Sequence, residues 1–120
     1  MPLQPQRITW MPSPPLVPDD GPIDMAHLKR MTLGDARLER EVLAMFARQV
    51  VGLTEGLAAW PSDAAEIAHT LNGSARAIGA FKVAEAAEAF EASLSSQALA
   101  ALEQAVTQAR QAIDAMLRRS

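Results

Sequence analysis

The residues of this chain with the most chemical potential lie in the run His69-Thr70-Leu71-Asn72-Gly73-Ser74-Ala75-Arg76-Ala77-Ile78-Gly79-Ala80. Its surroundings read as a helix from Ala64 to Ile78, turning by about 100° per residue. With Ile67 as origin, Leu71, Ala75 and Ile78 fall within roughly 80° of it and form a core stripe. His69, Gly73, Arg76 and Ala80 fall between roughly 180° and 240°, on the opposite face. The pattern predicts an imidazole turned to solvent with a missing side chain, a cation and a methyl group around it.

An imidazole attacks phosphorus only when it is neutral, and an exposed histidine is mostly neutral at cytoplasmic pH. Its nitrogen must also enter another protein's site, so small neighbours are needed. Gly73 and Ala80 supply clearance, and Thr70 belongs to the same docking surface. A transferring phosphoryl group spreads negative charge over three oxygens, which a cation or hydrogen-bond donors stabilise. Arg76 and Asn72 are the candidates. Exposed mid-helix glycine costs roughly 1 kcal/mol against alanine. At Gly73 that cost has no packing return, which sets His69 apart from an ordinary surface histidine.

The other chemical residues carry less. With no cysteine and two histidines, His27 and His69, the chain has no disulfide framework and no metal centre is expected. His27 reads as a surface histidine. Glu85, Glu88 and Glu91 form an acidic row on one helix and read as a solvated face. Met25, Met31, Met45 and Met116 read as core or boundary filler. There is no phosphate-binding glycine loop, no nucleotide fingerprint and no kinase motif, so no enzyme is expected.

Five amphipathic stretches must position these side chains. Ile23–Met31 reads as a short helix with Asp24 as N-cap, and Asp35 caps the next after a Thr32–Asp35 turn. A long helix runs from Ala36 to Ala59, with Leu38, Val42, Phe46, Val50, Leu53, Leu57 and Trp60 as its apolar stripe. Gly52 and Gly56 near that stripe predict close approach by another element. Pro61 stops this helix. Asp63 and Glu66 resemble a capping box at the start of the histidine helix, and Gly79 ends it or bends it. Lys82–Leu94 is the fourth helix, carrying Val83, Ala87, Phe90 and Leu94. After Ser95-Ser96, the last helix runs from Gln97 to Leu117, with Leu99, Leu102, Val106, Ile113 and Leu117 inward.

No segment alternates, and the links are short. The expected fold is all-α, an antiparallel up-down four-helix bundle with a short additional N-terminal helix. Residues 1–22 hold seven of the eight prolines and read as an N-terminal arm or tail, leaving 23–120 as the bundle domain. A net charge of −3 argues against nucleic acid as a partner. No apolar run is long enough to cross a membrane, and the N-terminus lacks a signal-peptide core. A cytoplasmic monomer is expected.

His69, Leu71, Gly73, Ser74, Ala75 and the Ile78-Gly79 pair resemble the central motif of histidine-containing phosphotransfer (Hpt) domains of multistep two-component signalling. Lys82–Glu91 is similar to that family's following helix, with Glu91 at its usual acidic end. Ile23-Asp24, the Gly34-Asp35 turn and Phe46 resemble its opening helices. The resemblance implies a phosphorelay intermediate without kinase activity. His69 would take a phosphoryl group, through its outer ring nitrogen, from a receiver-domain aspartyl phosphate or a kinase and pass it to another receiver. The implied partners are a response-regulator receiver domain and a hybrid or sensor histidine kinase. No cofactor is implied on this chain, because Mg²⁺ would belong to the receiver. One position departs from the family. Three residues after the histidine the family usually has lysine, and this chain has Asn72, which donates hydrogen bonds but carries no charge. A module that docks a kinase or receiver without being phosphorylated is the alternative.

Overall fold

Helix boundaries follow the capping residues and stops in the sequence. The computed structural model describes residues 21–119, so nearly all of the proposed 1–22 arm lies outside the described residues. The helices are α1 (Met25–Met31), α2 (Ala36–Ala58), α3 (Ala64–Ile78), α4 (Phe81–Ser93) and α5 (Ser96–Arg119). Asp24 caps α1 by accepting the His27 N–H at 3.1 Å. Asp35 caps α2 by accepting from Arg37 and Leu38 at 3.0 and 3.1 Å. Each such cap stabilises its helix by about 1 kcal/mol.

The start of α3 differs from expectation. Asp63 makes no side-chain capping bond, so the Asp63–Glu66 box does not form. Its backbone lies at φ −101°, ψ 28°, outside the extended geometry that aims a capping side chain. A backbone turn opens the helix instead, with the Ala64 N–H donating to Pro61 O at 3.1 Å.

Gly79 ends α3 in the left-handed region at φ +91°, and the Ala80 N–H reaches back to Ala75 O at 2.8 Å. A Cβ on Gly79 would lie 2.9 Å from the Asp24 carbonyl oxygen. Glycine is thus required both by its torsion and by the approach of α1. The ends of α1, α2 and α4 use left-handed residues too, but these are Leu33, Trp60 and Leu94.

α2 packs on α3 and α5, α4 packs on α3 and α5, and α1 sits against α3. This closes a ring of four helices, and the short connections make sequential neighbours antiparallel. Leu28, Leu43, Phe46, Val50, Leu57, Leu71, Val83, Phe90, Leu102 and Ile113 are buried at the centre. Each large apolar side chain removed from water contributes about 1.5–3 kcal/mol. Ala68, Ala75, Ala84 and Ala87 are also buried, so the α3–α4 seam is built of methyl groups. Among the described residues two hydroxyls are buried, and each is satisfied locally, Thr32 by donating to Leu28 O at 2.9 Å and Thr54 by donating to Val50 O at 2.6 Å.

Several expected packing roles are corrected. The α2 stripe is centred on Leu43, Phe46, Val50, Thr54 and Leu57, whereas Leu38 and Trp60 are exposed. Trp60 leaves the stripe because it lies beyond the helix end at φ +53°. In α3 the stripe is centred on Ala64, Ala68, Leu71, Ala75 and Ile78, with Ile67 only part-buried at its edge. Met31 and Met45 are exposed, unlike Met25 and Met116. A Cβ on Gly52 or Gly56 would meet nothing within 4 Å, so no neighbouring element approaches either glycine.

Candidate functional site: a histidine at the seam of two helices

His69 lies in the second turn of α3, opposite the stripe that buries Ala68 and Leu71. Its side chain is 75% exposed. Its Nδ1 stands 3.4 Å from Oε2 of Glu91 on α4. A carboxylate there favours the tautomer protonated on Nδ1, which leaves the lone pair on Nε2 at the far side of the ring. The ring is therefore accessible, with Nε2 as the nitrogen turned away from Glu91. Ala65, Glu66, His69, Thr70 and Glu91 line a shallow open depression of about 500 Å³.

Gly73 follows one turn later on the same face. A Cβ there would meet nothing within 4 Å, so the domain's own packing does not require glycine. The space beside the imidazole is open, as its place on the helix predicts. Thr70 is exposed and lies within the same depression.

Ala80 does not join them. The predicted exposed position assumes an unbroken helix, but the left-handed turn at Gly79 resets the phase. Ala80 is 0% exposed and packs in the core, so it presents no docking surface.

Asn72 and Arg76 meet each other. Arg76 Nε donates to Asn72 Oδ1 at 2.8 Å, and Arg76 Nη2 donates to Glu88 Oε1 on α4 at 2.9 Å. The guanidinium thus spans the seam. Two of the three glutamates read as a solvated row have partners on α3: Glu88 holds Arg76 and Glu91 faces His69. Their i, i+3 spacing on α4 lies alongside the His69, Asn72 and Arg76 ladder on α3 in the opposite chain sense. That spacing was visible in the sequence, but the pairing of the two ladders depends on the register between helices.

His27 is likewise more than a surface residue. Its Nε2 lies 3.0 Å from the Ala77 carbonyl oxygen, and its ring meets Phe81 edge-on at 5.2 Å. It caps the carboxyl end of α3 from α1, where backbone carbonyls lack helical partners. The Asp24 N–H bonds Gly79 O at 2.9 Å in the same joint. α1 thereby anchors the far end of the helix that carries His69.

Trp60 was expected in the α2 stripe. It stands 45% exposed against Phe90, with ring centroids 5.6 Å apart. Phe90 precedes Glu91, so the indole lies at the His69 end of the bundle. Leu94, also exposed, closes the same end by bonding its N–H to Phe90 O at 2.7 Å. Left-handed backbone carries a cost of about 1–2 kcal/mol for a non-glycine residue, and Leu33 at the α1–α2 turn carries it as well.

Among the described residues, no group of three or more His, Cys, Asp or Glu could hold a metal ion. No helix of the described residues is long and apolar enough to cross a membrane. No curated protein and no solved structure matches the chain. A model of the Hpt domain matches residues 40–119, from the second turn of α2 to the end of α5, with His69 inside the match. That match covers two thirds of a chain whose fold is the expected helix bundle, and the chain belongs to the Hpt domain family.

Proposed function

We propose that this protein is a phosphorelay intermediate in which Nε2 of His69 accepts a phosphoryl group from a receiver-domain aspartyl phosphate, or from a kinase, and gives it to another receiver. Family membership implies a phosphotransfer role in a phosphorelay, and Hpt domains are typically non-catalytic phosphocarriers that interact with receiver domains and kinases. The observation that carries the assignment to His69 is its exposed ring with Nδ1 turned to Glu91 at 3.4 Å.

The step balances on this chain's groups. The Nε2 lone pair attacks phosphorus, the P–O bond to the aspartyl carboxyl breaks, and the carboxylate leaves with the electron pair. Nδ1 keeps its proton, so the ring becomes cationic as the N–P bond forms. Glu91 faces that developing charge, and Asn72 offers neutral donors one turn along the helix. The return transfer reverses each event. Mg²⁺ and the acceptor carboxylate belong to the receiver, so this chain contributes a carrier nitrogen and its surroundings. Thr70 and the clearing at Gly73 would admit the receiver, and exposed Trp60 and Leu94 would supply apolar contact at the same end of the bundle. As such a carrier it would act in the cytoplasm as a monomer.

The direct test uses a receiver domain carrying ³²P-aspartyl phosphate. Wild type is expected to take up label and His69→Gln to take up none. Equal labelling of the two would refute the assignment. Receiver binding without any label on wild type would favour the alternative of a non-phosphorylated docking module.

A further inference from the structure

The guanidinium of Arg76, on the same helix as His69, is the candidate for the cation that the family's usual lysine would supply, yet its bonds point elsewhere. Arg76 follows His69 by seven residues, roughly 10.5 Å along the helix axis. Its Nη2 is drawn sideways to Glu88 at 2.9 Å, which offsets its charge. Its Nε is spent on Asn72 Oδ1 at 2.8 Å. Asn72 follows His69 by three residues, the spacing at which helix side chains are neighbours.

The effect on Asn72 is specific. An Asn side chain has one acceptor oxygen and two N–H donors. The Nε of arginine only donates, so only the amide oxygen can face it, and the amide cannot flip without setting donor against donor. With Oδ1 held, the Nδ2 amino group points away from Arg76. Among the described residues it makes no hydrogen bond. From these bonds we infer that Arg76 is a positioning residue: braced by Glu88, it locks the Asn72 amide so that its N–H donors serve the phosphoryl group on His69. Glu88, Arg76 and Asn72 together replace a flexible lysine with a braced neutral donor. The inference rests on the phosphocarrier reading of His69.

This arrangement makes Arg76 matter only while Asn72 is present. Phosphoramidate serves as the donor: its P–N bond breaks, ammonia leaves, and phosphohistidine forms without any partner protein. The equilibrium fraction phosphorylated at position 69 is read from the His69 ring resonances at a fixed ratio of phosphoramidate to ammonia. Asn72→Ala is expected to lower the exchange constant about five-fold, the loss of one modest hydrogen bond. The pair Arg76→Met with Glu88→Gln keeps the net charge and is expected to lower it comparably. Added to Asn72→Ala, that pair is expected to change nothing further. The Asn72 side-chain amide resonances should shift on phosphorylation in wild type and lose that shift in the Arg76→Met/Glu88→Gln protein. Dispersed backbone spectra check that each variant is folded.

Losses that multiply in the combined variant would mean that Arg76 acts on the phosphoryl group itself, overturning the inference. So would an Asn72 amide that ignores phosphorylation. A wild type that phosphoramidate labels but receivers do not would count against the relay and leave the local arrangement standing. A His69 that takes no label from either donor would overturn both.

Discussion

Replacing Gly73 should strengthen the fold and weaken the function. The residue is helical, in the middle of α3, and a Cβ added to it meets no atom within 4 Å. Alanine there incurs no clash and removes the backbone freedom that glycine carries into the unfolded state. The expected gain is about 0.8–1 kcal/mol. For a folded unit of this size it raises the melting temperature by roughly 3–8 °C. Gly73→Leu should also be more stable than wild type, since leucine is a strong helix former and its side chain enters open solvent. Transfer should respond in the opposite direction, because the added carbons would stand one turn from His69 on the face where the proposed receiver would dock. Gly73→Ala is expected to slow transfer modestly and Gly73→Leu severely. Thermal unfolding followed by circular dichroism and ³²P transfer from a phosphorylated receiver measure the two effects. A Gly73→Leu protein that transfers at the wild-type rate would refute the clearance argument. A Gly73→Ala protein that melts lower would show that the domain itself needs the glycine.

Glu91→Gln should lower the transfer rate to His69 by up to about five-fold, the effect of losing a surface ion pair worth at most roughly 1 kcal/mol; stopped-flow transfer kinetics measure it, and an unchanged rate would remove Glu91 from the mechanism. Gly79→Ala should destabilise the domain by about 2 kcal/mol or more, because the added Cβ combines a left-handed torsion with a 2.9 Å approach to Asp24 O. A denaturant midpoint equal to wild type would contradict it.

Two positions, one within α3 and one just past its end, show how far the chain could be read by itself. His69 and Ala80 share a predicted face under uninterrupted helical rotation. The prediction succeeds for His69, because five residues before it and nine after it keep the helix phase. It fails for Ala80, because one left-handed residue redirects the chain into the core. Gly79 signalled that break, but not which way the chain would turn. The same limit applies at Trp60, where Pro61 announced the end of α2 but not the exposed contact with Phe90.

By itself the sequence determined the number, order and approximate ends of the helices, because caps, prolines, glycines and apolar spacing act within a few residues. It also determined that His69 stands opposite the core, since both properties belong to one helix. Tertiary structure alone decided which groups face one another across elements: Glu91 toward the His69 ring, Glu88 bracing Arg76, and His27 closing the carboxyl end of α3. Those pairings depend on the offset and rotation of packed helices. A change of one residue in register moves a side chain by about 100° and 1.5 Å, enough to turn a partner of the histidine into a solvated charge.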